Sequence, residues 1–251
     1  MFQVIYDLVG QHLKHWQVAN YLTLDRNPFA AFEVLQEFTS RDLGDDYPQH
    51  CAALAKSLCS LTYYEESLNW AEKAYQLETS NCHFETILAD AYFLTDRTEE
   101  ASQIYQSRIS LVSPSPSDSI SEMFLETFSI ERGVLTSPIF AIQLGQQLSD
   151  LKQSEEFWKL AEAEFYYSPY FRSHHAYYLA SKGQIQECLA KLIALVQEMP
   201  WLQEASLNLK YIFDYFNQRG NKIMPEFQDS LSQQIHDRGW TSDGMFTLQI
   251  Q

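Results

Sequence analysis

Turn formers are scarce in this chain: among 251 residues there are only eight glycines and eight prolines. So few argue against the many tight turns of a β-sandwich and favour long helices. No run of 18 uncharged apolar residues occurs, so no bilayer-spanning helix and no membrane insertion are expected. The amino-terminal stretch MFQVIYDLVGQHLKHWQVANYL lacks a basic region followed by an unbroken apolar core and a small-residue cleavage site. It does not read as a secretory signal, and a soluble, cytoplasmic protein is expected. Basic residues are few, 17 against 33 acidic ones, for a net charge of −16. A field of that sign repels phosphate backbones and anionic headgroups, which makes nucleic acid a poor partner. It suits a basic partner, and it also keeps an extended helical array in solution.

Cysteine is limited to Cys51, Cys59, Cys82 and Cys188. The first two stand eight residues apart on one expected helix, more than two turns and too far to bridge, so reduced thiols are expected. His50 adjoins Cys51 and Cys82 adjoins His83, but no C-x-x-C or H-x-x-x-H spacing accompanies them. No metal site follows. The phosphate-cradling, nucleophile-elbow, zincin and dinucleotide glycine motifs are absent too, so the residues point to no cofactor and to no catalytic group. His12 and His15, three apart, and adjacent His174 and His175 lack a partner carboxylate motif.

What the chain has is a 45% hydrophobic composition with 15 Tyr, 16 Phe and 5 Trp, enough for a real core, and an internal period. Aligning 63–79 with 97–113 sets the Glu pairs at 65/66 and 99/100 in register, 34 residues apart. Ser67 and Ala101, Leu54 and Leu88, and Ala55 and Ala89 repeat at the same distance. The Glu pairs, with Glu155 and Glu156, fall in the first turn of an expected helix, where unpaired N–H groups favour negative charge. Helix capping is reason enough for them.

This period, with its alternation of small and large positions, resembles the tetratricopeptide repeat. In that family small residues at positions 8 and 20 of each 34-residue unit let two helices approach closely, while large ones fill the space towards the next pair. Residues 48–81 match with Cys51, Leu54, Ala55, Leu58, Ser67, Ala71 and Ala74, and residues 82–115 with Leu88, Ala89, Tyr92, Ala101 and Tyr105. A degenerate unit at 12–45 keeps Val18, Ala19, Leu22, Ala31 and Leu35, with Pro28 in the first turn of its second helix. Residues 138–169 supply Ala141, Leu144, Gly145, Leu148 and Ala161, but bulky Phe157 stands where alanine is usual and is expected to push its helix pair open. Residues 169–200 supply Ala176, Leu179, Gly183, Cys188 and Leu192. The resemblance implies an all-α fold, an α-solenoid of stacked antiparallel helix hairpins in a superhelix.

The array divides the chain into an amino-terminal part, 1–113, a linker with an inserted single helix, 114–137, carboxy-terminal repeats, 138–202, and capping helices with a tail, 203–251. SPSPSDS at 113–119 cannot continue a helix. Ser119 and Glu122 then form a capping-box pattern for a helix over 119–132 that carries Ile120, Met123, Phe124 and Phe128, and Ser137-Pro138 starts the next. Residues 205–220 and 226–239 make the two helices that close the end of the stack. Ser-Pro sites in the linker read as a solvated loop, with phosphorylation the functional alternative.

The resemblance also implies a concave groove lined by the first helix of each pair. Its positions here carry Trp16, Asn20, Lys56, Asp90, Phe93, Gln146, Tyr170 and Tyr177, with Thr23 and Cys59 beside them. The family's carboxylate clamp is matched only at Asn20, so apolar and aromatic anchoring is expected, with Phe93 and Tyr177 foremost. The function implied is that of an adaptor or assembly factor binding a peptide or helix segment of another protein, basic or apolar, with room for a homo-oligomer. A secretion-type chaperone for an aggregation-prone client is the alternative. A third is a ligand sensor or enzyme using a pocket near 119–138, Tyr166, Tyr167 and His174.

Overall fold

A computed structural model describes residues 13–109, 137–148 and 154–241. Twelve helices occur among them and no strand. They are α1 (His15–Leu24), α2 (Pro28–Phe38), α3 (Tyr47–Ser60), α4 (Tyr64–Leu77), α5 (Cys82–Leu94), α6 (Thr98–Ile109), α7 (Pro138–Gln147), α8 (Ser154–Phe165), α9 (Pro169–Ser181), α10 (Ile185–Glu198), α11 (Gln203–Gln218) and α12 (Pro225–Asp237). A short 3₁₀ turn, Gly44–Asp46, leads into α3. The linker at 113–119, the helix expected over 119–132 and the tail beyond Thr241 lie outside the described residues.

Local chemistry starts these helices. Asn27 accepts a hydrogen bond from the Ala30 N–H at 3.3 Å, with Pro28 in the first turn, and Ser137 accepts from Phe140 N–H at 2.9 Å, with Pro138 following. Asn81 caps α5 through the His83 and Phe84 N–H groups. The Glu pairs at 65/66, 99/100 and 155/156 sit in the first turns of α4, α6 and α8. Each is favoured there by the helix dipole.

Helix ends recur as well. The Asn27, Tyr63, Arg97 and Gln184 N–H groups each bond back to the carbonyl five residues earlier, at Leu22, Leu58, Tyr92 and Leu179. The residue just before each of these donors, Arg26, Thr62, Asp96 and Gly183, has a positive φ of 61°, 68°, 61° and 77°. This is the left-handed closure that satisfies orphan carbonyls and reverses the chain in three residues.

The helices gather into two compact units, Met1–Ser168 and Pro169–Gln251. In the first, each of α1 to α5 packs on the helix that follows it, and α7 packs on α8. Alternate helices touch as well, α1 on α3, α3 on α5 and α5 on α7. In the second, α9, α10, α11 and α12 pack in order.

Close helix approach follows small side chains twelve residues apart. Ala19 with Ala31, Ala55 with Ser67, Ala89 with Ala101, and Ala176 with Cys188 are all 0% or 1% exposed. Ser67 Oγ donates to the Ala55 carbonyl at 2.8 Å, a direct bond across the α3–α4 crossing. At the corresponding place in α7 and α8, Gly145 faces Phe157. A Cβ on Gly145 would lie 2.8 Å from the Trp158 ring and 3.1 Å from Phe157. The missing side chain thus makes room for two fully buried aromatics, and α7 and α8 touch less extensively than the other paired helices, as expected of the bulk of Phe157.

Candidate functional site

Lys56 of α3 and Asp90 of α5 stand 34 residues apart in sequence, and the packing of α3 on α5 brings them into one polar cluster. Asp90 Oδ1 accepts the Tyr105 hydroxyl of α6 at 2.5 Å and the Ser137 hydroxyl at the start of α7. One carboxylate oxygen therefore ties three helices together. Burial pushes the Asp90 carboxyl up to about 7, against the downward pull of the two hydroxyls and Lys56. Burial brings the Lys56 ammonium down to about 8, opposed by the negative charge of Asp90.

Their neighbours respond to the same environment. Cys59, one turn along α3 from Lys56, has its thiol pushed up to about 12 by burial, with Asp90 adding to the effect. His83 is held down to about 3, first by the positive charge of Lys56 and then by burial. Tyr167 is raised by burial and by Asp90. Asp90 and Lys56 thus both depart from their ordinary titration ranges through burial, each opposed by the charge of the other.

The second unit has its own polar feature. Tyr170, His174 and Tyr177 follow one another along one side of α9. Their ring centroids are 4.3 Å apart from Tyr170 to His174 and 5.5 Å from His174 to Tyr177. His174 Nδ1 lies 3.1 Å from the Tyr170 carbonyl. A carbonyl only accepts, so Nδ1 carries the proton. Burial lowers the His174 pKa, opposed by the hydrogen bond to the Tyr170 carbonyl. The Tyr177 hydroxyl donates to Glu204 Oε1 at 3.0 Å and accepts from Asn208 Nδ2 at 2.7 Å. Burial raises the Glu204 carboxyl, with Tyr177 pulling it back in part.

The residues singled out by sequence are thus distributed over both units. Trp16 is half-buried on α1, packs against the core of Ala19, Ala31 and Leu35, and donates from Nε1 to Asp46 at 3.4 Å. Asn20 and Phe93 are half-buried on α1 and α5, and Gln146 is exposed near the end of α7. Lys56 and Asp90 influence each other electrostatically, and the rings of Tyr170 and Tyr177 both neighbour His174. Tyr177 itself is only 7% exposed and its hydroxyl is occupied. Thr23 is buried too, its hydroxyl 3.2 Å from Ser57 Oγ.

Sequence reasoning misses Tyr105, Ser137 and Glu204 as members of these clusters. Tyr105 reads there as a packing ring and Ser137 as a cap; both do those jobs and add a bond to Asp90. A buried pair, His15 Nε2 and His50 Nδ1 at 3.0 Å, joins α1 to α3 without any spacing signal. His15 also stacks on Phe38, with centroids 4.3 Å apart.

Among the described residues, no group of three or more His, Cys, Asp and Glu is gathered to hold a metal, and no helix is long and apolar enough to cross a membrane. All four cysteines are free thiols. Compared with protein-family models the chain matches none, and no curated protein matches it.

Proposed function

We propose that this chain is an adaptor or assembly factor of the tetratricopeptide-repeat kind, a solenoid of antiparallel helix hairpins that binds a segment of a partner protein along the surface of its first helices. Its role is capture and not catalysis, in a reducing, cytoplasmic setting. Three features support the reading: buried small residues at a constant interval of twelve, left-handed closures at Arg26, Thr62, Asp96 and Gly183, and the contacts of α1 with α3, α3 with α5 and α5 with α7. The observation that carries it is that successive first helices touch, α1 on α3, α3 on α5 and α5 on α7, so that equivalent positions of neighbouring units lie side by side.

The test is a photo-crosslinking residue placed at Phe93, on α5, or at Glu65, on the second helix of its pair, followed by co-purification and mass spectrometry. The reading expects one or a few partners crosslinked from 93 and none from 65. Two folded partners bridged together identify an adaptor, and one unfolded client identifies the chaperone alternative. Equal capture from both positions defeats the groove.

One observation favours a second reading. Asp90, Lys56, Cys59 and His83 are all displaced from their ordinary titration ranges at one place, as in sites that bind or transform small ligands. Loss of crosslinking together with a small molecule retained through native mass spectrometry would favour it.

A further inference from the structure

We infer that the buried His15–His50 pair is an acid-operated clasp, which holds the amino-terminal helix pair, α1 with α2, on α3 while at most one of the two rings carries an extra proton and lets it go when both do. Release uncovers Ala53 and Leu54 of α3, which share a core with Ala19, Ala31 and Leu35.

The direction of each hydrogen bond can be read from the partners. His15 Nε2 of α1 lies 3.0 Å from His50 Nδ1 of α3, and His50 Nε2 lies 3.4 Å from Thr39 Oγ1 at the end of α2. Thr39 has one hydroxyl proton and gives it to the Leu35 carbonyl at 3.1 Å. Its oxygen therefore accepts from His50, which carries its proton on Nε2 and keeps a lone pair on Nδ1. The Nε2–H of His15 then donates to that lone pair. One directed chain runs from α1 through α3 into α2, and the one ring nitrogen outside it is His15 Nδ1. A first proton taken up there leaves every bond of the chain in place. A second has only His50 Nδ1 to go to, where it replaces the bond between the rings with two like charges in contact.

The seam is one in which such a bond matters. Its enclosed core is made of Ala19, Ala31 and Ala53 with Leu35 and Leu54, mostly side chains that bury little area. His50 is 0% and His15 7% exposed, with His15 stacked on Phe38 and the Trp70 ring of α4 edge-on to His50 at 6.4 Å. The charged groups around His50 are His15 and Lys73 of α4, and burial together with both holds His50 down to about 4. Around His15 stand Asp46 of the 3₁₀ turn, Arg41 and Lys14; burial lowers its pKa against the pull of Asp46. Lys14, bonded at 2.6 Å, keeps the Asp46 carboxyl below its usual range, so Asp46 stays charged while the histidines titrate. Rings whose pKa falls on docking hold fewer protons docked than free. Their contribution to docking is therefore complete above about pH 6.5 and is lost as the pH falls towards 4.

The experiment follows the full chain from about pH 7 to about pH 5 by hydrogen exchange with mass spectrometry, corrected for intrinsic rates, and by nitrogen-15 spectra of the histidine rings. Opening of α1 and α2 is expected to rise at least about tenfold across that range, and opening of α4 much less. At the neutral end both rings are expected as the uncharged Nε2–H tautomer. His15→Gln combined with His50→Asn keeps a donor and an acceptor in place and cannot titrate; opening of its α1 and α2 is expected to change less than about threefold. An equal rise in α1, α2 and α4, the parental rise in a folded double variant, or ring signals showing both histidines titrating normally near about pH 6.5 overturns the clasp. Exchange and ring spectra of the parent chain decide the matter even where the double variant does not fold.

Discussion

Asp90 shows how a single side chain can serve both framework and site. Its Oδ1 gathers hydroxyls from α6 and α7, and burial keeps its proton bound up to about pH 7. The folded state then holds more protons than the unfolded one between about pH 4 and 7. The stability contributed by this group is therefore complete at the acid end of that window and lost towards its upper end. Asn at 90 would accept the same two hydroxyls without titrating. Relative to the parent protein, Asp90→Asn is expected to gain about 2 kcal/mol between pH 4.5 and pH 8 in urea denaturation, roughly half the full linkage because the residue is only half-buried. A constant difference across that range would show that the carboxyl titrates normally. Lys56 and Asp90 could be named from their 34-residue spacing, but their coupling could not. Nor could the bonds to Asp90 from Tyr105 and Ser137, whose hydroxyls carry no spacing signal.

At the scale of the element, the helix pairs rest on two local devices, small residues at the crossing and a left-handed residue at the turn. The first is plain in the sequence as Ala19, Ala55, Ala89 and Ala176 with their partners twelve residues on. The second is half hidden, because glycine marks it at 183, 220 and 239, whereas Arg26, Thr62 and Asp96 occupy it in the first unit. Thr62 is the most strained of these, a β-branched residue at φ 68°. Removing its Cβ relieves strain of about 1–3 kcal/mol, partly offset by the added freedom of glycine in the unfolded chain. Thr62→Gly is expected to stabilise by about 0.5–1 kcal/mol net, read as a higher midpoint in thermal melting followed by circular dichroism. An unchanged or lower midpoint would mean that Thr62 makes compensating contacts. At the α7–α8 crossing Gly145 yields space to the Phe157 and Trp158 rings, and the pair touches less extensively than the others.

Among the described residues, most helices rest on the next one along the chain within each of the two compact units. In the second unit Leu192, Leu195, Leu209, Ile212 and Phe213 are 0% or 1% exposed and share one core. Leu192→Ala there removes a fully buried side chain, at a cost of about 2–5 kcal/mol. Hydrogen exchange is expected to rise through α9 to α11 by a factor set by that loss, and much less in α1 to α4, whose cores are built of other residues. A uniform rise over all twelve helices would show the chain to be one cooperative body.

The helical class, the places where most helices begin and the close crossings were all determined by the order of residues, because caps, first-turn charges and small-residue spacing act within one or two turns of chain. Tertiary structure alone decided that Tyr177 is buried, that Asp90 binds two hydroxyls, that His15 meets His50 and that Glu204 accepts the Tyr177 hydroxyl. Each of these depends on a helix arriving from 15 to 47 residues away. Desolvation, which sets their chemistry, exists only once the chain has packed.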